Sequence, residues 1–286
     1  MIETGLATRG LTKYYGRTRA LKDVTFSIPR GTIAALIGPN GAGKSTLIKC
    51  WLGFERPTHG LAQVAGHDPV ARPGSVLRIV GYLAQGAPLY PDLTVRHHLT
   101  LARGLRPSFD VPNATERLEG LRVPATIPVG RLSGGQQAQV ALAIVLATHP
   151  AVLLLDEPLA SLDPLARREF LDLLVDTAHR EQQTVLYSSH IVSDIEHACE
   201  TLIVLGDGRL LLSAPVNEAI GSHAVGPRSN KAGRFVGALP SGATDHPSAL
   251  FLRSTSEGTD AERSPTLEEL VLGYLASARD IGRALT

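Results

Sequence analysis

The stretch Gly38-Pro39-Asn40-Gly41-Ala42-Gly43-Lys44-Ser45-Thr46 constrains this chain more than any other. An apolar run at 32–37, short enough for a buried strand, leads into it, and residues 47–52 behind it read as a helix. Strand, glycine-rich turn and helix are the context in which G-x-x-x-x-G-K-[ST] carries chemistry. A triphosphate packs dense negative charge into a small volume. A loop that holds one must surround it with backbone N–H groups that no Cβ obstructs. Glycines let the chain curl into such a nest, and the following helix N-terminus adds partial positive charge. Lys44 is then placed to reach the β- and γ-phosphates, and the Ser45 hydroxyl to ligate Mg²⁺. The competing reading is a flexible turn that binds nothing.

The 286 residues allow one large α/β domain with an appendage. A net charge of +1 gives no electrostatic case for nucleic acid as the main partner. No apolar run reaches the roughly 18 residues of a membrane span. The first residues carry neither the basic stretch nor the apolar core of a secretory leader, so none is expected and the cytosol is the default compartment. Cys50 and Cys199 are too few for a disulfide framework and read as reduced packing residues.

Strands are expected at 6–11 and 21–28, with Tyr15 between them. That tyrosine either packs on a sheet edge or offers a flat face to an adenine ring. A turn at 57–60 precedes a strand at 61–65, and another strand at 79–84 ends at Gln85. Gln85 is either a solvated loop residue or a neutral amide at a strand end that ligates a metal or a water. Helices are expected at 94–105 and 113–121, separated by Pro107 and Pro112. His97 and His98, being adjacent, point in different directions on a helix and read as solvated surface residues rather than a metal pair.

Leu132-Ser133-Gly134-Gly135-Gln136 opens a strongly apolar helix, with Ser133 as N-cap and glycines exposing backbone donors, which makes a second anion-binding terminus. The run 152–155 reads as a strand buried on both faces of a parallel sheet. Asp156 at its carboxyl end stands where α/β sheets place their ligands and is a candidate to hold Mg²⁺ through water. Glu157 beside it is unfavourable electrostatically unless a reaction uses it, for instance to polarise a water for attack on a γ-phosphate. Ser161 to Pro164 cap a helix reaching about 178, and 184–189 is a strand with His190 at its end, either a satisfied polar residue or one facing the γ-phosphate.

Taken together and in this order, these blocks resemble the nucleotide-binding subunits of ATP-binding cassette (ABC) transporters, over about 6–220. The resemblance implies a P-loop NTPase core with a mixed, mainly parallel sheet, an antiparallel β subdomain, a helical subdomain over about 86–147 and an ATPase domain over 1–220. It further implies that Tyr15 stacks on adenine, that Gln85 senses Mg²⁺ and the attacking water, and that Asp163 and His190 are the D-loop aspartate and the γ-phosphate switch histidine. In this family Ser133, Gly134, Gly135 and Gln136 close over the ATP held by a second nucleotide-binding subunit, in a homodimer or a heterodimer. A monomer would then hold half of each of two sites, and Glu157 with His190 marks those sites as hydrolysing. The absence of a membrane segment implies a separate permease chain at the inner face of the membrane. The segment 85–95 resembles that of bacterial export-type ATPases, with the helices to 121 receiving the permease. The alternative is an ABC-type ATPase working off the membrane as an assembly or regulatory factor. The coiled coil of repair and chromosome members, and the paired cassettes of translation-type members, are missing here.

Past 220 the composition shifts to Gly, Ser, Ala and Pro, with short strands expected at 234–239 and 249–253. The extension 221–286 ends in an amphipathic helix over 266–279, opened by a Thr266-to-Glu269 capping box.

Overall fold

Four strands of this chain are buried along their whole length, and that alone requires layers on both faces of the sheet they form. The computed structural model describes residues 3–86, 89–160, 162–192, 195–196, 198–227, 233–239, 248–253 and 263–284, with side chains as far as 278. Its strands are β1 (Thr4–Tyr15), β2 (Thr18–Pro29), β3 (Ile33–Ile37), β4 (His59–Val64), β5 (Val80–Leu83), β6 (Val152–Leu155), β7 (Thr184–Ser189), β8 (Thr201–Gly206), β9 (Arg209–Pro215), β10 (His223–Pro227), β11 (Gly233–Ala238) and β12 (Ser248–Arg253). Its helices are α1 (Lys44–Trp51), α2 (Pro73–Ile79), α3 (Val95–Leu105), α4 (Val111–Gly120), α5 (Gly134–Leu146), α6 (Pro164–Arg180), α7 (Val216–Gly221) and α8 (Leu267–Ala284).

The central sheet runs β5-β6-β7-β3-β8-β9, parallel except for the last pair. Alternate residues feed alternate cores, as the two-residue strand period requires. Ala35, Ile37, Leu153, Leu155, Val185 and Tyr187 pack in a core with residues of α5 and α6. Ala34, Leu36, Leu154 and Leu186 share the opposite core with α1 and with the antiparallel sheet β2-β1-β4. Trp51 anchors that second core: it is fully buried, donates its indole N–H to the Ala7 carbonyl at 3.0 Å and meets Phe26 edge-on at 5.8 Å. A third cluster joins α3, α4 and α5 through Val95, Leu99, Ala114, Leu118 and Val140. No helix among the described residues is long and apolar enough to cross a membrane.

Several local expectations change. The strands β1 and β2 are longer than expected because they form one hairpin, which carries Tyr15 at the end of β1 and turns at Gly16. Residue 79 closes α2 rather than opening a strand, and α2, which was not expected, begins at Pro73, where a helix's first turn needs no N–H. Pro112 likewise sits inside the first turn of α4, capped by Asp110, instead of preceding the helix. His98 is not a solvated surface residue. It is buried, accepts from the Tyr90 N–H through Nε2 at 3.0 Å and donates through Nδ1 to the Thr94 carbonyl at 2.9 Å. His97 is exposed as expected.

In the extension, β10-β12-β11 form an antiparallel sheet, of which β10 was not expected. The capping box forms: Thr266 N–H donates to Glu269 at 2.9 Å and Glu269 N–H to Thr266 Oγ1 at 3.2 Å. Leu267, Leu270 and Val271 of α8 join the same core as Leu202 and Val204 of β8, so the closing helix packs on its own chain. Ser161, and Ala87 and Pro88 within the 85–95 segment, lie outside the described residues.

Candidate active site

The parallel strands end together, and their carboxyl ends deliver the loop after β3, Gln85 after β5, Asp156 and Glu157 after β6, and His190 after β7. A cavity of about 380 Å³ opens there, walled by Ala20, Pro39, Asn40, Gly41, Ala42, Gly43, Lys44, Ser45, Thr46, Gln85 and Glu157. The loop curls as its glycines allow, with φ of +82° at Gly41 and +102° at Gly43. Gly43 has no substitute: a Cβ there would lie 2.7 Å from the Ala20 carbonyl oxygen. Gly43 also caps α1 without any side-chain bond, so the first-turn N–H groups are not taken up by a side-chain cap.

The Lys44 side chain is 5% exposed, and its ammonium donates to the Gly38 carbonyl at 2.7 Å and the Pro39 carbonyl at 3.3 Å. It also pairs with Glu157 Oε1 at 3.0 Å. The other Glu157 oxygen stands 3.4 Å from His190 Nδ1 and accepts from the Gln85 amide at 3.5 Å. One carboxylate, 10% exposed, thus meets three of the residues singled out in the sequence. Its backbone is left-handed, φ +48°, a conformation that costs a non-glycine residue about 1–2 kcal/mol.

Asp156 is buried behind the cavity wall. Its neighbourhood holds a residue that sequence reasoning missed. The Ser188 hydroxyl, fully buried, donates to Asp156 Oδ1 at 2.9 Å and accepts the Glu157 N–H at 2.9 Å. The only signal for it is a pair of serines closing a buried strand whose middle is apolar.

Tyr15 stands outside the wall of the cavity but beside it. Burial raises its phenol's pKa, while a bond to Thr46 of the loop acts in the opposite direction. The Lys13 ammonium lies over its ring, 5.0 Å from the centroid, and is itself paired with Glu55 at 2.7 Å. Ser133, Gly134, Gly135 and Gln136 lie outside that wall, at the start of α5. There Gln136 N–H donates to Ser133 Oγ at 3.2 Å and Ser133 N–H to Gln136 Oε1 at 3.1 Å. Gly135 is required by close approach, since a Cβ would sit 2.8 Å from the Ala166 methyl of α6. Asp163 caps α6, accepting from the Leu165 and Ala166 N–H groups at 3.0 Å each.

A hydroxyl, a neutral amide and a carboxylate at Ser45, Gln85 and Asp156 are hard oxygen donors, the set that suits Mg²⁺ and not a softer metal. Among the described residues no cluster of three or more His, Cys, Asp or Glu forms an all-protein metal cage, so such an ion would share its coordination with phosphate oxygens and water.

Residues 21–160 match the family model described as ABC transporter. The chain is 37% identical over 210 residues to the thiamine import ATP-binding protein ThiQ of Jannaschia sp. (strain CCS1), covering 69% of this chain and 88% of that one. It is 35% identical over 216 residues to the probable multidrug ABC transporter ATP-binding protein YbhF of Escherichia coli (strain K12), which spans 74% of this chain but 37% of the larger relative. Among solved structures, the dimeric post-hydrolysis state of the ATP-binding cassette MJ0796 bound to ADP and Pi superposes with a TM-score of 0.65 at 26% identity, over 74% of this chain and 98% of that one. With this identity over most of its length, the chain belongs to the ATP-binding ATPase subunits of the ABC transporter family.

Proposed function

We propose that two copies of this chain close around two ATP molecules and that hydrolysis drives a separate membrane permease, in the export direction. The observation that carries the catalytic part is the Glu157 carboxylate, held among Lys44, His190 and Gln85 at the mouth of the phosphate nest.

In this reading the adenine stacks on Tyr15, and the phosphates take the N–H groups of 38–46. Lys44 exchanges the Gly38 and Pro39 carbonyls for phosphate oxygens, which frees Glu157 from its ion pair. Glu157 then orients a water and accepts its proton as the water attacks the γ-phosphate, a role typically worth about 10²–10⁴ in rate. His190 keeps that carboxylate in place and faces the γ-phosphate. Ser45, Gln85 and Asp156 would hold Mg²⁺, which when bound neutralises charge on the β- and γ-oxygens. Ser133, Gly134, Gly135 and Gln136 of the second copy supply donors on the far side, with Asp163 at the same seam. The ATPase unit is placed at 1–220, its helical part at 86–147, and the extension at 221–286. The permease, at the inner face of the membrane, would dock on the surface running from Gln85 to the α3–α4 helices. Export rests on the resemblance of 85–95 and on the relative named for multidrug transport; ThiQ, named for thiamine import, is of similar identity.

The decisive variant is Glu157→Gln. It is expected to bind ATP with unchanged affinity, to accumulate as an ATP-bound dimer and to lose turnover by roughly 100-fold or more. Wild-type turnover in that variant would sink the catalytic assignment. Co-purification with a polytopic membrane protein tests the partner. Higher ethidium and antibiotic accumulation in cells carrying the Glu157→Gln form tests the direction, and unchanged accumulation across that panel counts against export.

A further inference from the structure

The parallel register sets Leu155 of β6 beside Tyr187 of β7, so the next residues, Asp156 and Ser188, fall side by side where both strands end. Three facts then converge on Ser188. Its hydroxyl is fully buried and has no contact with solvent. It donates to Asp156 Oδ1 and accepts from the Glu157 N–H, both at 2.9 Å. Glu157, whose N–H it holds, is the one site residue outside glycine with a left-handed backbone.

The geometry points to Ser188 as the positioning residue of this ATPase: one hydroxyl orients the metal-side carboxylate and, in the same pair of bonds, fixes the turn that aims the catalytic one. A hydroxyl is suited to this because it is donor and acceptor at once. Its donated proton pins one oxygen of Asp156, which sets the direction of the remaining lone pairs. Its lone pair satisfies a half-buried N–H that the chain, once past β6, no longer offers to the ladder. The Glu157 φ of +48° is unfavourable by itself and persists because surrounding bonds determine it. Without Ser188 the peptide between Asp156 and Glu157 is free to relax toward an ordinary right-handed or extended conformation. The Glu157 carboxylate would then move away from Lys44 and His190. Neither Ser189, whose hydroxyl serves the following turn at Ile191, nor any other described side chain donates to Asp156.

The inference rests on the roles given above to Asp156 and Glu157, and its test separates the two. Ser188→Ala removes both bonds, and Ser188→Cys keeps a side chain of similar shape whose thiol is a poor donor and acceptor. In both, kcat should fall roughly 10- to 100-fold, the worth of a bond to a charged group. The Mg²⁺ concentration at half-maximal turnover should rise several-fold. A fluorescent ATP analogue should bind as in the unaltered chain when EDTA is present, and more weakly only when Mg²⁺ is supplied. A purely structural residue would not move metal-dependent binding while leaving metal-free binding intact. Unchanged kcat and Mg²⁺ dependence in either variant overturns the proposal. Loss of metal-free binding together with turnover in both variants also overturns it, because the hydroxyl would then be holding the fold. Failure of the underlying reading looks different: the unaltered chain would hydrolyse ATP without a divalent cation, or Glu157→Gln would keep its rate.

Discussion

Two helices in this chain begin at glycine-rich loops, and they solve the same problem in opposite ways. The first, α1, starts at Gly43 in a left-handed conformation with no side-chain cap, and a lysine stands at its first position. The second, α5, starts at Ser133 in an extended conformation with a complete capping box through Gln136. Every helix start has N–H groups without partners. In α1 the first-turn groups border a walled cavity, the place the proposed function gives to phosphate. In α5 two of them are already satisfied, and the loop is exposed at the edge of the chain. The capped state does not disqualify the second loop. Ser133 Oγ accepts from Gln136, and a hydroxyl that accepts still has its own proton to give. The comparison suggests a division of labour in the proposed dimer: α1 receives the triphosphate unaided, and α5 adds donors only when a second copy presents one.

The largest expected effect breaks the first half of that comparison. Lys44→Met removes the cation that the loop carbonyls and Glu157 now share. ATP affinity of the single chain should fall about 10- to 100-fold, read by equilibrium binding. The same measurement on Ser133→Ala should show no change, because that loop lies outside the wall of the cavity beside α1. An equal loss in both variants would erase the distinction between receptor and lid.

These two loops were legible in the sequence because each is local. The phosphate nest follows from local chain geometry, since glycines, a lysine and a helix start within a few residues dictate it. The serine N-cap of α5 is equally local, although the return bond from Gln136 was not read there as it was between Thr266 and Glu269. What escaped depends on register between distant segments. Ser188 meets Asp156 only because β6 and β7 align as they do, 32 residues apart in the chain. The burial of His98 was recoverable, since Val95, His98, Leu99 and Ala102 follow one helical face, but adjacency with His97 drew the reading toward solvent. Strand β10 was hidden in a stretch rich in Gly, Ser, Ala and Pro, and its pairing partner β12 comes later in the chain, after β11.

A middle-sized effect sharpens the second half. Ser133→Ala deletes the N-cap hydroxyl of α5, which costs a helix about 1 kcal/mol. Modest loss of melting temperature should therefore accompany a much larger loss of turnover, with single-chain ATP binding preserved. If turnover falls only in proportion to the lost stability, the serine is a cap and nothing more.

The smallest effect concerns how the two helices are held at their far ends. Behind α1 the anchor is Trp51, buried with one neutral hydrogen bond, and the nearby Lys13–Glu55 pair has its lysine raised and its glutamate lowered by that pairing, so neither titrates near neutrality. Behind α5 the anchor is His149, whose Nε2 stands 3.2 Å from Asp110, the cap of α4, and whose Nδ1 stands 3.2 Å from Glu181 at the end of α6. Arg117 of α4 shares Glu181 at 3.2 Å, so the histidine is one of two cations facing that carboxylate. The bond to Asp110 raises the imidazole above its ordinary 6.5, burial opposes that rise, and Glu181 adds to it. A histidine raised in the folded chain adds stability that is complete below the unfolded value and lost as pH climbs through the folded one. The ring is half exposed, so solvent screens the gain. Melting temperature should therefore drop by about a degree or two as pH rises from roughly 6.5 into the alkaline range. His149→Gln should flatten that slope while leaving metal-free ATP binding, which depends on the α1 end, untouched. A slope that survives the substitution would place the titrating group elsewhere and remove the asymmetry between the two helix anchors.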